Sequence, residues 1–491
     1  MALGLGAILV AAAAVRLGFI SVPVRPDEAL TFLRYASQPW YEGIADYSVP
    51  NNHLLNTLAV HVSWQAFGQD EWTLRLFALV AGIATVPAAY LLGRELYDRQ
   101  AAIWGAALVA GSSALIQYSA NGRGYMPGTF FVVAAIVCAS WAARTHMVLA
   151  WAAFGGCAVL AVYSVPSMVL GIAVAAAWVV WNALAEAPGR RTMRKRFEPC
   201  RRTLRELGVT LAASALVGAA LYAPTLGDAG WTPPGEIVPR ADGLEEKWRL
   251  LRDIWGLFNE GLPFGLRLVL LAAAVLAIVW HRRLGRHAVP VAPVALIPAL
   301  PLVLAWDPPV FPRNWIELLP IYLVTAGAGL AAVTRIALER LPPRAAAAAP
   351  VLATGLPVIA AVALAVGFAV RGQDALVLDW PRGDPEVAEL KRRALPREPL
   401  LASPTGAIAA SYYFRREGVR GLASEEPIYG YPDARLRPLP ADGRLAVLVV
   451  NGDERPERVA ESAGVRLRRS ATPELLARYR YTSVYEVRVD R

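Results

Sequence analysis

Long apolar runs separated by short polar loops occupy the first three quarters of the chain. A helix needs roughly 20 apolar residues to cross about 30 Å of hydrocarbon. The pattern predicts eleven transmembrane helices, at residues 2–20, 72–93, 101–118, 126–142, 148–163, 166–185, 207–226, 263–280, 288–305, 315–333 and 346–370. A signal peptide is the alternative interpretation of the first run, but no basic stretch precedes its apolar core.

The distribution of lysine and arginine between the loops predicts their sides. One alternate set of loops has 52 residues and 17 Lys and Arg, whereas the other has 89 residues and 8. Short basic loops face the cytoplasm, so the chain is predicted to run N-in and C-out with its larger loops outside. The basic stretch at 190–205 then lies near anionic lipid headgroups, and no nucleic-acid partner is predicted.

After residue 370 the pattern changes to a mixture of polar and apolar positions. Short segments predict strands at Leu400–Ser403, Leu445–Asn451 and Thr482–Val489, the last of which alternates on a two-residue period. Helices are predicted at Pro385–Arg393, Thr405–Arg416 and Pro456–Ala463, the first and last introduced by Asp-Pro and Arg-Pro near acidic residues. The expected organisation is a transmembrane domain over residues 1–370, whose first external loop is 21–71, and a small soluble extracytoplasmic α/β domain over 371–491.

Composition agrees with an α-helical polytopic membrane protein. Of 491 residues 56% are hydrophobic and 18% charged, and the mean hydropathy is +0.39. A soluble domain carries about a quarter charged residues, and a disordered chain is far less apolar. The net charge of +10 is explained by the basic loops. The three cysteines indicate neither a disulfide framework nor a metal site.

Two adjacent carboxylates, Asp27 and Glu28, follow Pro26 where the first span ends. Capping of a new helix is the simpler explanation, because acidic groups are favourable at a helix N-terminus. Ionisable groups beside hydrocarbon also commonly face a cavity or a partner. A carboxylate in such a cleft can take a proton from a hydroxyl group as its oxygen attacks.

Farther along the first external loop lie Asp46 and the cluster Asn51, Asn52 and His53. The cluster opens an amphipathic segment, residues 54–67, which is predicted to lie along the external membrane face. Asp46 and His53 are only a pair, and metal sites need more ligands. The sequence therefore leaves a divalent cation open and assigns no cofactor.

Three arginines stand beside external membrane boundaries: Arg75, Arg123 and Arg313. Each alone would be explained by its side chain reaching toward lipid headgroups. Together they are predicted to face the compartment of Asp27, and their forked donors suit a phosphate that gains charge as it leaves. A polyprenyl phosphate is a membrane molecule that would present such a group at this depth.

With these residues in view, the chain resembles the GT-C superfamily of integral-membrane glycosyltransferases. It is most similar to bacterial relatives of dolichyl-phosphate-mannose protein mannosyltransferases and of aminoarabinose transferases. The resemblance rests on five pieces in order: Asp27-Glu28, Asn51 to Leu55, Phe67 to Ala102, Tyr118 to Tyr125 and, more weakly, Arg313 to Pro320. The family's paired prolines are replaced by Asn51 and Asn52, and Gly124 stands where a bulkier residue is usual.

The resemblance implies roles for individual residues. Asp27 is expected to be the catalytic base, supported by Glu28, while Arg123 and Arg313 hold the lipid-linked phosphate. The remaining expected substrate-binding residues are Asp46, Asn52, His53, Arg75 and Tyr125.

The expected activity is inverting transfer of a sugar from a polyprenyl-phosphate donor to a hydroxyl of a glycan, lipid or protein. The active site would face the outside or periplasm from the cytoplasmic membrane. A lipid or polysaccharide transporter, in which the same charges line a pathway without bond chemistry, is the alternative. A scaffolding protein is the third interpretation. The sugar, the acceptor and the oligomeric state are left open.

Overall fold

The computed structural model describes residues 2–48, 50–185, 198–227, 240–305 and 307–378, five strands beyond them, and the single residues 412, 415, 416, 455 and 457. The chain divides into two units. The first unit contains residues 1–20, 45–56 and 75–372, and the second contains residues 21–44, 57–74 and 373–491.

Helices make up most of the described chain. In chain order they are α1 Ala2–Leu17, α2 Pro26–Thr31, α3 Trp40–Ala45, α4 Leu54–Phe67, α5 Glu71–Leu96, α6 Arg99–Gly111, α7 Ser113–Ser119, α8 Tyr125–Thr145, α9 Val148–Ser164, α10 Val169–Ala185, α11 Glu198–Tyr222, α12 Gly243–Phe258, α13 Phe264–Val279, α14 His281–Leu284, α15 Val291–Val294, α16 Leu296–Ala305, α17 Leu319–Glu339, α18 Pro343–Ala346 and α19 Ala349–Leu378. A π-helical turn, Phe32–Ala36, follows α2, and 3₁₀ helices form at Pro166–Met168, Ala223–Leu226 and Pro312–Leu318.

Each of the eleven predicted apolar runs coincides with helical structure. Among the described residues, six helices are long and apolar enough to cross a membrane, and the bent pair α6 and α7 makes a seventh if it counts as one span. Four shorter apolar helices, of 10–17 residues, fall on the other four runs. The predicted class, an α-helical polytopic membrane protein, is confirmed, whereas the count of eleven crossings and the N-in, C-out orientation stay predictions.

Small residues allow close helix packing in the first unit. A Cβ atom added to Gly327 of α17 would lie 2.6 Å from the backbone nitrogen of Gly105 in α6. Such contacts are typical of membrane helices, where the hydrophobic effect drives little association and van der Waals packing decides it. Within the same unit, α6 and α7 meet at an angle of 60°, because Ser112 between them is extended.

The second unit contains a small sheet. Its strands are β1 Leu400–Ala402, β2 Leu445–Asn451, β3 Arg466–Leu467, β4 Glu474–Arg478 and β5 Thr482–Asp490. The order is β1-β2-β5-β3, with β4 also paired to β5, and only the pair β1 and β2 is parallel.

Strands form at the three predicted places, whereas the short β3 and β4 were not predicted. The three helices predicted in this part of the chain lie mostly outside the described residues. The proposed division of the chain at residue 370 stays a prediction.

Candidate active site

A compact loop precedes α4 in the first unit. Asp46 begins it with an Asx turn, in which its Oδ1 accepts a hydrogen bond from the backbone nitrogen of Ser48 at 3.0 Å. Asn52 closes the loop by donating from Nδ2 to the carbonyl oxygen of Asp46 at 2.7 Å. Both predicted site residues therefore shape the loop that holds Asn51 and His53.

His53 is buried and is held by the backbone of the segment before α8. The backbone nitrogen of Gly124 donates to His53 Nδ1 at 2.8 Å. Burial, and then the charges of Arg123 and Arg313, lower the pKa of His53 well below its usual 6.5. The ring is therefore neutral near pH 7, and its proton is on Nε2 because Nδ1 accepts.

Gly124 allows this contact because it has no side chain. A Cβ atom at this position would lie 2.3 Å from the carbonyl oxygen of Ser164 and 3.0 Å from Cβ of His53. The departure from the bulkier residue that is usual in the family therefore has a local reason: the backbone here touches α9 and the ring of His53.

Tyr125 is the centre of the cluster. Its ring meets the edge of His53 at a centroid distance of 5.0 Å. The guanidinium carbons of Arg123 and Arg313 lie 5.1 and 6.0 Å from the ring centroid, within cation–π range. Its hydroxyl oxygen also accepts from Nε of Arg313 at 3.0 Å. One aromatic side chain thus contacts two cations that are 190 positions apart in the chain.

Arg123 is further fixed by Asn51. Nη2 of Arg123 donates to Oδ1 of Asn51 at 2.5 Å, and both side chains are buried. Asn56 in α4 supports the same segment, since its Nδ2 donates to the carbonyl oxygen of Gly122 at 2.7 Å. The asparagine that replaces a family proline therefore supplies a side-chain acceptor that proline lacks.

Arg313 is held mainly by aromatic rings. It lies at the start of the 3₁₀ helix Pro312–Leu318, and its guanidinium carbon is 4.1 Å from the ring centroid of Phe311. Nε donates to Tyr125, whereas Nη1 and Nη2 donate to no group within the described part of the chain. These two nitrogens form the fork that binds phosphate or carboxylate oxygens.

Several tyrosines near this cluster were not predicted. Tyr118 meets the edge of Tyr125 at 5.5 Å, and Tyr47 and Tyr163 each meet Tyr222, at 6.2 and 5.6 Å. Burial, and then the neighbouring Tyr125, raise the pKa of Tyr47 to about 12, so that phenol stays protonated. Tyrosine at a span boundary is typical of membrane interfaces, and the sequence carried no further signal.

Arg75 has a different environment. It is 0% exposed in α5, and its Nη1 donates to the carbonyl oxygen of Ile20, just after α1, at 2.9 Å. A side chain that reaches toward lipid headgroups would be exposed, so the simple interfacial explanation does not describe Arg75.

Asp27 and Glu28 lie in the second unit, in the first turn of α2. Glu28 is buried and its Oε2 accepts from the backbone nitrogen of Arg25 at 2.8 Å. This is the reach-back bond of a capping box, which satisfies a helix N-terminal amide. Glu28 therefore caps the N-terminus of α2. The side chain of Asp27 is half-buried.

The segment after Asp27 packs within the same unit. The ring of Phe32, in the π-helical turn, meets the edges of Trp64 and Tyr412 at 5.5 and 5.4 Å. The guanidinium carbon of Arg415 lies 5.6 Å from the Phe32 centroid, and Arg416 forms an ion pair with Glu71 at 2.7 Å. Residues near position 412 thus support the segment that follows Asp27.

No group of three His, Cys, Asp or Glu side chains that could hold a metal ion occurs among the residues that the structure describes. Within the described part of the chain, Asp46 and His53 are therefore not joined by a third His, Cys, Asp or Glu ligand.

Comparison with known proteins gives a family match over part of the chain and a similar fold. Residues 55–198 match the family described as dolichyl-phosphate-mannose-protein mannosyltransferase. No curated protein matches the chain. The structure is similar to that of ArnT from Cupriavidus metallidurans bound to undecaprenyl phosphate, with 13% identity, a TM-score of 0.58 and coverage of 98% of this chain and 97% of ArnT. The apo structure of ArnT gives 13% identity, a TM-score of 0.56 and coverage of 99% and 98%.

These findings confirm the predicted resemblance to the GT-C superfamily. The similarity of fold extends along nearly the whole chain, and the family match contains two of the five predicted motif pieces in full, Phe67 to Ala102 and Tyr118 to Tyr125. Residues 55–198 therefore resemble that mannosyltransferase family, and the fold of the chain is similar to that of ArnT along nearly its whole length.

Proposed function

We propose that the protein transfers a sugar from a polyprenyl-phosphate donor to an acceptor hydroxyl at the external face of the cytoplasmic membrane. The observation that carries this proposal is the cluster around Tyr125, in which two arginines are held by aromatic rings and Arg313 keeps its terminal nitrogens available. ArnT, which has the same fold, binds undecaprenyl phosphate, and a lipid phosphate of that class is the group proposed for these arginines.

The reaction is a single displacement. Asp27 takes the proton of the acceptor hydroxyl, whose oxygen attacks the anomeric carbon of the sugar. The bond between that carbon and the phosphate oxygen breaks, and polyprenyl phosphate leaves with the electron pair. Attack opposite to the leaving group inverts the anomeric configuration.

Arg123 and Arg313 bind the phosphate and stabilise the charge that it gains. Interactions that strengthen as the charge develops lower the barrier, and a forked cation beside a low-dielectric wall is well suited to this. Glu28 fixes the first turn of α2, while Asp46, Asn52 and His53 keep the loop and the Tyr125 segment in place. Arg75, which was also predicted to bind the substrate, is given no contact with the donor because its side chain is fully buried and donates to the carbonyl oxygen of Ile20.

The decisive experiment uses purified protein in lipid nanodiscs with a panel of polyprenyl-phosphate sugars. Release of polyprenyl phosphate that depends on an added acceptor supports the proposal. Movement of the donor across a bilayer without that release supports the transporter alternative instead.

Asp27→Asn tests the base. We expect transfer to fall by about 10²- to 10⁴-fold, the usual range for removing a general base, with folding and membrane insertion unchanged. Asp253→Asn, another carboxylate from a predicted external segment, should keep wild-type turnover. Wild-type turnover in Asp27→Asn would disprove the role of Asp27.

A further inference from the structure

Arg16 is a fully buried charged residue within an apolar helix, and the reaction above gives it no role. It lies near the end of α1 and is 0% exposed. A buried charge in a membrane protein is costly unless it is hydrogen-bonded, and such residues commonly have a function.

All three nitrogens of the Arg16 guanidinium donate hydrogen bonds. Nε donates to Oγ of Ser119 at 3.1 Å, and Nη1 donates to the carbonyl oxygens of Ala12 and Ala110 at 3.1 and 3.0 Å. Nη2 makes a longer bond of 3.4 Å to the carbonyl oxygen of Val109. Three of these four acceptors lie on α6 or α7, the two halves of the bent pair.

The two acceptors on α6 are backbone carbonyl oxygens that lose their helical hydrogen-bond donors because α6 ends at the bend. Val109 and Ala110 belong to the last turn of α6, whose carbonyls lack the partners that a continuous helix would supply. In hydrocarbon no water replaces these partners, so a donor from a neighbouring helix must do so. A cation is also favoured there, because the helix dipole places partial negative charge at the C-terminus.

The other half of the bend is fixed through Ser119. Its hydroxyl accepts from Arg16 and donates to the carbonyl oxygen of Leu115 at 2.5 Å. Gly82 of α5 leaves room for this pair, because a Cβ atom there would lie 2.0 Å from Oγ of Ser119 and 3.4 Å from Nε of Arg16. Arg16 thus joins the end of α6 to the end of α7.

The end of α7 leads directly into the Tyr125 cluster. Tyr118, adjacent to Ser119, meets the edge of Tyr125, and residues 120–124 connect the two. We propose that Arg16 is a positioning residue that fixes the bend between α6 and α7 and so places Tyr118, Tyr125 and Arg123 for binding the donor phosphate. The effect on the donor rests on the proposed function, whereas the effect on the bend does not.

Two measurements on Arg16→Gln separate these claims. Hydrogen–deuterium exchange of residues 112–125 should become about 10-fold faster, with residues 126–145 unchanged. The KM for the polyprenyl-phosphate sugar should rise about 10-fold because the displaced cluster binds the donor phosphate more weakly, and kcat should fall as well because the same arginines stabilise the charge that the phosphate gains. A loss of folded protein alone would lower the apparent kcat and leave KM unchanged.

Arg335→Gln is the matched control, since Arg335 is half-exposed and forms an ion pair with Asp98. It should show wild-type exchange and KM. Arg16→Lys keeps the charge but not the fork and should raise KM about 3-fold; Ser119→Ala removes a single acceptor and should have the smallest effect. If Arg16→Gln does not fold, hydrogen–deuterium exchange and KM are measured on Arg16→Lys and Ser119→Ala instead.

Wild-type exchange at residues 112–125 together with wild-type KM in the folded variants would overturn the proposal. If wild-type protein transfers no sugar from any donor, the proposed function fails, and the exchange result still decides whether Arg16 fixes the bend.

Discussion

Arg16 and Arg313 are two arginines of the same unit whose environments differ in the acceptors they meet. Arg16 donates from every guanidinium nitrogen to protein oxygens, mostly backbone carbonyls. Arg313 lies against the rings of Phe311 and Tyr125 and donates only from Nε to a described group. Rings hold a guanidinium in place without occupying its donors, whereas carbonyls occupy them.

The difference shows that burial of a cation is weak evidence for a ligand site. A guanidinium has five N–H donors, and what matters is how many the protein leaves available. By this criterion Arg16 is structural and Arg313 is suited to an anionic ligand. Substitutions at the two positions should therefore change different observables.

Among the substitutions that test this comparison, Arg313→Ala has the largest expected effect. Removing the fork should weaken binding of polyprenyl phosphate about 100-fold, equivalent to about 3 kcal/mol of charge-assisted hydrogen bonding. Arg313→Lys keeps a point charge and should lose about 10-fold. Affinity in nanodiscs is the measurement, with Arg249→Ala, an exposed arginine on α12, as the control. Equal affinity in Arg313→Ala and wild type would contradict the assignment.

A smaller effect is expected from two matched hydroxyl deletions, Tyr125→Phe and Ser119→Ala. Each removes the oxygen that accepts from Nε of one arginine, at 3.0 and 3.1 Å. Tyr125→Phe keeps the ring and should weaken donor binding about 5-fold with little loss of stability. Ser119→Ala should mainly lower the unfolding free energy, by about 1 kcal/mol. Thermal unfolding and donor affinity, measured on both variants, distinguish them, and the reverse pattern would break the comparison.

The smallest expected effect is on the pH dependence of stability, through His53. The pKa of His53 in the folded protein lies well below 6.5, its usual value in an unfolded chain. At a pH between these two pKa values, the unfolded chain binds more protons than the folded one. Protonation then favours unfolding: the contribution of His53 is fully present above pH 6.5 and is lost as the pH falls. The unfolding free energy of wild type should fall more steeply than that of His53→Asn, by up to about 1.4 kcal/mol per pH unit. Parallel curves between pH 5 and 8 would show that His53 is not held neutral.

Helix positions were predictable because the bilayer sets them. A span must be apolar for about 20 residues, so the pattern locates each of the eleven runs without knowledge of their packing. The bend at Ser112 was not predictable, because residues 101–118 are apolar on both sides of it. Arg16 was missed for a related reason: one arginine scarcely changes the hydropathy of an apolar run, although a lone charge within such a run was the available signal.

The site was predictable as a set of residue types and not as a set of contacts. Arg123, Tyr125 and Arg313 were identified from motifs, and the structure brings them together. Asn51 was noted only as a departure from the family, yet its side chain accepts from Arg123 across 72 positions. Contacts between residues so far apart in the sequence depend on how the helices pack, and the hydropathy pattern does not determine that packing.

The packing around Phe32 has a consequence for biosynthesis. Glu71 and its partner Arg416 are 345 positions apart. At about 5–20 residues per second, the ribosome needs roughly 20–70 s to make the intervening chain. During that interval the segment after Asp27 already exists, but the residues near position 412 that pack against it have not been made. The interval is therefore a stage at which a folding factor can bind this segment of the nascent protein.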